Sequence, residues 1–340
     1  MSSERLRWGI LGTGNIARQF ADGVARTARR SQLVAVGSRS ESSARTFAQP
    51  REITRVHGSY DALLADPNVD AIYNSLPNSL HHEWTIKALR AGKHVLCEKP
   101  FAMTRPQAAE MFDAARHAKR VLVEAFMYRS HPLTHAVIDA VRGGEVGQVR
   151  LIRTSFCYRT TRVDENVRFR TELGGGGLMD VGCYCINFSR LIAGEEPDEV
   201  QATAHFHRES GVDDVVAATM RFPSGVVASF TCGMSVHADN TAYVCGTDGY
   251  IEVPVPWKPP AQQAAYTVAR STPPKMDLAA GAAARPPRET RLIDANMELY
   301  ALEADDFAAT ALDGRPPAVS AADTLGNMAV LDEIRRQIQH

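Results

Sequence analysis

The fold is decided near the start of the chain, where residues 6–17 read LRWGILGTGNIA. An apolar run typical of a buried strand leads into a G-x-G-x-x-A loop that opens a helix. The first glycine permits a tight turn, the second lets the backbone approach a pyrophosphate, and a small third residue lets helix and strand pack closely. Backbone N–H groups at the helix start then face phosphate oxygens. The stretch therefore predicts a dinucleotide-binding unit. The predicted contacts are Gly12, Thr13, Gly14, Asn15 and Ile16.

Short apolar runs alternate with amphipathic stretches from Leu6 to about Glu124. Short strands separated by helices predict βαβ units, in which a parallel sheet has both faces covered. The expected fold class is therefore α/β, beginning with a Rossmann domain built on a doubly wound parallel sheet. The strand-like runs are Leu6–Leu11, Leu33–Val36, Val69–Asn74, His94–Cys97 and Val121–Val123.

After Pro132 the pattern changes to consecutive strands joined by turn signals such as Phe222-Pro223-Ser224-Gly225. Such strands favour a mostly antiparallel sheet, so we predict a nucleotide-binding domain over residues 1–126 and an α+β domain over 127–340. An irregular loop is expected over 254–287, which holds eight of the 18 prolines and the Ala/Gly-rich stretch Leu278–Ala284. The expected strands are Val149–Phe156, Glu199–His207, Val215–Phe222, Val226–Cys232 and Tyr243–Val253.

Composition excludes several classes of partner. Lysine and arginine number 38 and aspartate and glutamate 39, which leaves a net charge of −1. Such a chain has no global field that would recruit nucleic acid or an anionic membrane, so neither is expected. No apolar stretch reaches the ~18 residues of a membrane helix, and Met1–Arg7 lacks the features of a secretion signal. The six cysteines include no C-x-x-C pair, so we expect reduced thiols, a cytoplasmic location and no metal site.

The end of the second predicted strand indicates which dinucleotide is bound. In NAD-binding folds an acidic residue there holds the ribose 2′-OH, but here Gly37 is followed by Ser38, Arg39 and Ser40. A hydroxyl and a planar guanidinium suit a 2′-phosphate, which a carboxylate would repel. We therefore predict NADP rather than NAD, bound through Ser38 and Arg39. The alternative is that Arg39 only solvates a loop.

Two further strand ends are expected to line the same crevice, because ligands bind at the carboxyl ends of parallel strands. One strand ends at Asn74, and the next ends in Glu98-Lys99-Pro100. A lysine held there by a proline is well placed for proton transfer, although most lysines lie on solvated surfaces. The residues predicted to bind the cofactor here are Ser75, Leu76, Pro77, Asn78, His81, Glu98 and Lys99.

A third pattern begins with four glycines, Gly174–Gly177, and continues as LMDVGCY over residues 178–184. If a helix starts near Gly177, Asp180 and Tyr184 are four residues apart and lie on one face. A carboxylate beside a phenol is consistent with an acid/base site. It is equally consistent with a buried structural Tyr–Asp pair.

These motifs, in this order, resemble the glucose-fructose oxidoreductase, inositol dehydrogenase and rhizopine-catabolism (Gfo/Idh/MocA) family of nicotinamide-dependent oxidoreductases. The E-K-P motif and the pattern Gly175–Tyr184 are its most specific signals. Within the family the chain is most similar to the branch of NADP-dependent D-xylose 1-dehydrogenases and dimeric trans-dihydrodiol dehydrogenases. The branch signals are Trp8–Ile10, Glu124–Arg129, Gly211–Asp214 and Ser229–Cys232.

The resemblance implies catalytic roles. Lys99 matches the family's active-site lysine, Tyr184 the tyrosine acid/base of this branch, and Asp180 the carboxylate that accompanies them. A nearby ammonium is expected to lower the pKa of Tyr184, and the phenolate would accept the proton of a substrate hydroxyl. Phe156 and Trp257 match aromatic substrate-pocket positions of the dihydrodiol enzymes.

The resemblance also implies that the second domain binds substrate and forms a homodimer or higher oligomer through an open sheet. The first hypothesis is an NADP-dependent enzyme that oxidises a pyranose such as D-xylose at C1 to a lactone. A trans-dihydrodiol dehydrogenase and a keto-sugar or dicarbonyl reductase are alternatives, although Met127 stands where the animal dihydrodiol enzymes carry tryptophan. An NADP-sensing regulator is the non-enzymatic alternative, against which the complete acid/base set argues. Substrate choice is expected to lie in Cys157–Thr171 and Pro254–Arg288.

Overall fold

The first of two β-sheets carries the nucleotide-binding architecture. The computed structural model describes residues 4–270 and 287–338. The strands of the first sheet are β1 (Leu6–Leu11), β2 (Ser31–Gly37), β3 (Arg55–His57), β4 (Ala71–Asn74), β5 (His94–Glu98) and β6 (Leu122–Ala125). All pair in parallel, in the order β3-β2-β1-β4-β5-β6, which confirms the predicted Rossmann sheet. The edge strand β3 was not predicted, because three residues are too few to show a period.

Helices cover this sheet. They are α1 (Asn15–Thr27), α2 (Glu41–Ala48), α3 (Tyr60–Leu64), α4 (His81–Arg90) and α5 (Arg105–Ala118). The side chains of Ser40, Ser59 and Thr104 accept hydrogen bonds from the first turns of α2, α3 and α5, as good N-caps do. In contrast, α1 begins at Gly14 without a side-chain cap. Its first N–H groups are therefore open to a ligand.

The second sheet is mostly antiparallel, as predicted for an α+β domain. Its strands are β7 (Val149–Cys157), β8 (Glu199–Phe206), β9 (Asp213–Arg221), β10 (Val227–Gly233), β11 (Ala242–Gly246), β12 (Gly249–Val253), β13 (Ala264–Arg270) and β14 (Arg288–Ile293). Their order is β14-β13-β12-β11-β7-β10-β9-β8. Among the strands that the structure describes, β7 and β10 form the one parallel pair of this sheet, and β7 lies near its centre.

The expected irregular loop over 254–287 is partly wrong. Residues 264–270 form β13, which pairs with β12 and β14 and is buried along most of its length. Its sequence, AAYTVAR, contains the strand formers Tyr, Thr and Val, but it lies within a proline-rich stretch, which favoured the prediction of an irregular loop. Residues 271–286, including Leu278–Ala284, lie outside the described residues.

The remaining helices are α6 (Pro132–Arg142), α7 (Cys183–Ala193), α8 (Leu299–Asp313) and α9 (Ala321–Ile338). Near the end of the chain, α8 returns to the first sheet, where the ring of Phe307 lies 5.0 Å from that of Trp8. The Asp305 carboxylate also accepts hydrogen bonds from the N–H groups of Arg29 and Arg30. The division into 1–126 and 127–340 therefore stays a prediction. Within the described ranges, no helix has the length and apolarity needed to cross a membrane.

Candidate active site

The glycine loop after β1 forms an open cradle. Gly12 has φ +94°, a conformation that L side chains rarely adopt. An added Cβ on Gly14 would meet no atom within 4 Å, so free space lies directly above the uncapped start of α1. A pyrophosphate fits such a space, where the first N–H groups and the helix dipole face an anion. The residues present therefore fit a dinucleotide cofactor.

Ser38 and Arg39, the residues predicted to bind the 2′-phosphate of NADP, follow the carboxyl end of β2. Ser38 is buried, and its N–H donates to the carbonyl oxygen of His57 in β3. Arg39 is exposed beside Tyr60 at the start of α3. Burial raises the pKa of Tyr60, while the charge of Arg39 opposes that rise. Arg39 is thus exposed but hydrogen-bonded to Tyr60, and the buried Ser38 offers a ligand less surface than predicted.

Residues 75–78, which follow β4, form hydrogen bonds at both glycine-rich segments. The Ser75 hydroxyl donates to the carbonyl oxygen of Leu11 at 2.6 Å, next to the glycine loop. The Asn78 side-chain amide donates to the carbonyl oxygen of Gly174 at 2.8 Å. Leu76 is buried and Pro77 is half-buried. The segment 75–78 therefore spans from the cofactor cradle to the second glycine run.

His81 departs from its predicted place in the crevice. Its side chain is fully buried, and its ring nitrogens lie 2.9 Å from the Pro100 carbonyl oxygen and 2.8 Å from that of Leu76. Burial lowers the pKa of His81 to about 4, so the ring is neutral near pH 7. The neutral ring has one N–H and donates it to one of these two carbonyl oxygens, and His81 has no exposed surface for a cofactor.

Lys99 lies at the carboxyl end of β5 and turns towards Asp180. Its Nζ donates to the carbonyl oxygen of Asp180 at 2.7 Å and approaches Oδ1 at 3.3 Å. Burial acts to lower the pKa of Lys99, but the neighbouring acidic groups, led by Asp180 and including Glu98, together outweigh burial and the pKa is raised. The preceding Glu98 is buried, accepts from the Tyr73 hydroxyl and the Lys99 N–H, and has a pKa raised by burial. Glu98 thus anchors the strand end on which Lys99 is carried.

Asp180 is held by three partners, two of which the sequence did not reveal. Besides Lys99, the Tyr158 hydroxyl donates to Oδ2 at 2.6 Å and Arg168 Nε lies 2.8 Å from the same oxygen. Although burial acts in the opposite direction, Lys99 and Arg168 hold the pKa of Asp180 well below its usual range. Asp180 is therefore a fixed anion. Tyr158 and Arg168 lie in a segment with no readable period, so the sequence offered no signal for either.

The four glycines explain how Arg168 reaches the site. The N–H of Gly176 donates to the Arg168 carbonyl oxygen, and a Cβ on Gly175 would lie 2.3 Å from that same oxygen. Only a glycine lets the backbone of residue 168 pack this closely. Beyond the run, residues Leu178–Gly182 form a π-helical turn that continues into α7, a wider turn than the α-helix that the spacing predicted.

Tyr184 lies in the first turn of α7. Lys99 Nζ lies 5.1 Å from the centre of its ring, and its hydroxyl lies 3.2 Å from Met127 Sδ. The expectation that Lys99 lowers the pKa of Tyr184 is wrong for this state. Burial, followed by the charge of Glu98, raises the pKa of Tyr184 well above its ordinary value, because the ammonium bonds to Asp180 and does not reach the phenol. The structure brings Lys99, Asp180 and Tyr184 together, and their catalytic roles stay a prediction.

An aromatic wall adjoins Tyr184. The half-buried ring of Phe156 meets that of Tyr184 edge-on at 5.3 Å and stacks on Trp257 at 5.6 Å. Trp257 is only 3% exposed, and its Nε1 donates to the Ser155 carbonyl oxygen. Phe156 is therefore the ring with surface left for a substrate, and Trp257 supports it from behind. Across the described residues, no three His, Cys, Asp or Glu side chains are arranged to hold a metal ion.

Comparison with known proteins identifies the family. Residues 6–126 match the family model described as an oxidoreductase family with an NAD-binding Rossmann fold, and residues 134–252 match the GFO/IDH/MocA C-terminal domain. The chain is 36% identical over 256 residues to the Mus musculus trans-1,2-dihydrobenzene-1,2-diol dehydrogenase, which covers 75% of this chain and 76% of that protein. It is 36% identical over 247 residues to D-xylose 1-dehydrogenase (NADP(+)) 2 of Haloferax volcanii, covering 73% of this chain and 75% of that protein.

A solved structure extends the similarity to nearly the whole chain. The 3-ketoreductase KijD10 of Actinomadura kijaniata, in complex with NADP and TDP-benzene, superimposes with a TM-score of 0.87 at 30% identity and covers 98% of both chains. The family's dehydrogenases and ketoreductases act on CH–OH groups, and the residues of this site fit an NAD(P) cofactor. The chain belongs to the Gfo/Idh/MocA family of NAD(P)-binding oxidoreductases.

Proposed function

We propose that the protein is an NADP-dependent oxidoreductase that transfers hydride between a sugar and the nicotinamide, oxidising C1–OH of an aldose such as D-xylose to a lactone. Tyr184 is the acid/base, Lys99 supplies the local positive charge and Asp180 holds Lys99. The observation that carries the proposal is the contact of Lys99 Nζ with both Asp180 and the Tyr184 ring, at the strand end beside the phosphate cradle.

The ionisation states assign the three roles. The pKa of Asp180 lies far below neutrality, and its carboxylate is fully paired, so it cannot exchange protons with a substrate. The pKa of Lys99 is raised, so the ammonium stays charged and stabilises negative charge that develops on a substrate oxygen. Tyr184 carries an exchangeable proton beside Phe156 and, unlike Tyr158, does not donate it to Asp180. When bound, the nicotinamide supplies the hydride acceptor or donor.

The raised pKa of Tyr184 bears on the direction of reaction. A neutral phenol is ready to donate its proton to a carbonyl oxygen, which suits reduction of a keto-sugar. Oxidation of an alcohol needs the phenolate, which additional positive charge near the ring would favour. Keto-sugar reduction is therefore the second candidate, and the likeness to a 3-ketoreductase over 98% of the chain supports it.

Met127 argues against an aromatic diol as the substrate. Its sulfur lies against the Tyr184 hydroxyl at 3.2 Å, at the position where the animal dihydrodiol enzymes are expected to carry tryptophan. A flexible thioether offers no flat face for an aromatic ring to stack on. The half-buried Phe156 remains as a single aromatic face, which suits the apolar side of a pyranose.

A substrate panel tests the proposal. Purified protein is mixed with NADP and with aldoses, polyols or trans-dihydrodiols, and with NADPH and keto-sugars or dicarbonyls, while NADPH fluorescence is followed. We expect turnover with an aldose, D-xylose first. Turnover with dihydrodiols alone would replace the sugar assignment. Tight NADP binding without turnover of any compound would contradict the enzymatic proposal and favour the sensing regulator.

Arg39→Asp tests the cofactor. Because a guanidinium–phosphate contact contributes about 1.5–3 kcal/mol, its loss should raise the Kd for NADP by roughly 10- to 100-fold, with little change for NAD. Isothermal titration with each dinucleotide measures both. Arg45→Asp is the matched control, since Arg45 pairs with Glu41 on the exposed face of α2 and should leave both constants unchanged. Equal weakening of NADP and NAD by Arg39→Asp would refute the assignment.

Assembly and location remain predictions. We propose a homodimer through the face of the second sheet that α7 and α9 leave uncovered. A groove in that face is lined by polar side chains, Arg153, Thr219, Thr231 and Tyr243, together with apolar ones. The substrate-binding role of the second domain and the cytoplasmic location are likewise proposed.

A further inference from the structure

Lys258 is a cation at the site that the assigned roles do not use. It follows Trp257 in the segment after β12, and its Nζ donates to Gln19 Oε1 at 3.3 Å. Gln19 lies one turn into α1, the helix whose start forms the phosphate cradle. The contact therefore joins Lys258 to the helix whose start forms the phosphate cradle.

Charges of both signs act on Lys258, whose side chain is exposed. Partial loss of hydration and the charge of Lys99 lower its pKa, with a further lowering from Arg168. Glu98 and Asp180 oppose this effect, but Asp180 is already paired with Lys99 and Arg168. Within the described part of the chain, the hydrogen bond to Gln19 is its only one, and it has no ion pair. A lysine held near other cations without a carboxylate partner is stabilised when an anion arrives.

We propose that Lys258 binds the pyrophosphate of NADP from the side of the second domain, closing the phosphates against the start of α1. The space above Gly14 admits the phosphates, the N–H groups of α1 contact them on one side, and the Lys258 ammonium contacts them on the other as a point charge. The inference rests on the proposed NADP-binding function and adds a residue to it.

Binding by isothermal titration tests the assignment, with NADP, 2′-phospho-ADP-ribose and 2′-AMP as ligands. The first two carry the pyrophosphate and the third does not. Lys258→Gln should raise the Kd for the first two by the same factor, about tenfold for the loss of one charge-assisted hydrogen bond, and leave 2′-AMP unchanged. Lys258→Arg should bind all three nearly as the wild type does, since it keeps the charge.

The controls separate this inference from the proposed function. Arg336→Gln removes an exposed charge paired with Glu333 on α9 and should bind all three ligands as the wild type does. Arg39→Asp should weaken all three, because each carries the 2′-phosphate. The Lys258 assignment is overturned if Lys258→Gln binds NADP normally, weakens 2′-AMP as well, or changes only the KM for sugar. Failure of the wild type to bind NADP would instead overturn the proposed function itself.

Discussion

Tyr184→Phe is expected to lower kcat by roughly 10²- to 10⁴-fold, the range that a positioned general acid/base contributes, while leaving NADP affinity unchanged. The substitution removes one oxygen, whose hydrogen-bond partner is the weak acceptor Met127 Sδ at 3.2 Å. The ring contacts with Phe126 and Phe156 persist, so the fold should be retained. Single-turnover kinetics should be used, because slow product release would hide the loss of chemistry.

Tyr128→Phe is the matched control. Tyr128 belongs to the same aromatic cluster, with its ring 6.0 Å from that of Tyr184, and its hydroxyl donates to Asn187. Its removal disturbs packing and a buried hydrogen bond without removing the proposed acid/base, so most of kcat should survive. If Tyr184→Phe kept most of its activity, the proton donor would be another group. Tyr158, the phenol bonded to Asp180, would then be the first to replace.

Lys99→Met is expected to lower kcat by about 10²- to 10³-fold, the usual cost of removing one group that stabilises developing negative charge. Methionine fills a similar volume without the charge. Asp180 keeps Tyr158 and Arg168 as partners, which should preserve the folded site. Circular dichroism and NADP titration check that the variant is folded and loaded. Near-normal turnover would show that Lys99 only supports the backbone of Asp180.

The pH profile distinguishes a charge role for Lys99 from a packing role. In the wild type the pKa of Lys99 is raised by Asp180, so kcat should not fall through loss of this charge until well above neutrality. Asp180→Asn removes the main negative charge that raises the pKa of Lys99. Burial, which lowers that pKa, then dominates, and the pKa of Lys99 should drop below its ordinary value. Activity of that variant should therefore be lost at lower pH as pH rises, whereas a packing role predicts parallel profiles.

Much of the fold was readable because its signals are local. The loop within residues 6–17 needs a tight turn and room for a phosphate to approach the backbone, and only small residues meet both requirements. In the structure Gly12 has the positive φ of such a turn, and the space beside Gly14 is open. The alternation of apolar runs with helical stretches likewise predicted the parallel sheet. The failures were local too. Strands β3, β13 and β14 were missed, β3 because it has three residues, and β13 and β14 because they lie within or next to the proline-rich segment 254–287.

The site was only partly readable, because a motif names residues without their contacts. The E-K-P motif and the glycine run pointed to Lys99, Asp180 and Tyr184, and the structure brings these three together. Nothing in the motifs showed that Lys99 bonds to Asp180 and not to the Tyr184 hydroxyl. That choice decides the direction of the pKa of Tyr184, which burial then raises.

The fold class and the G-x-G-x-x-A loop could be read from spacing along the chain, whereas the candidate catalytic residues Lys99, Asp180 and Tyr184 came from the resemblance to the family. Folding buries His81 between the carbonyl oxygens of Leu76 and Pro100, places Trp257 against Phe156 and brings Arg168 to Asp180. Burial and charge pairing arise between residues far apart in sequence, where no local pattern records them. The charge state and surroundings of a group follow from the fold, and its identity alone does not predict them.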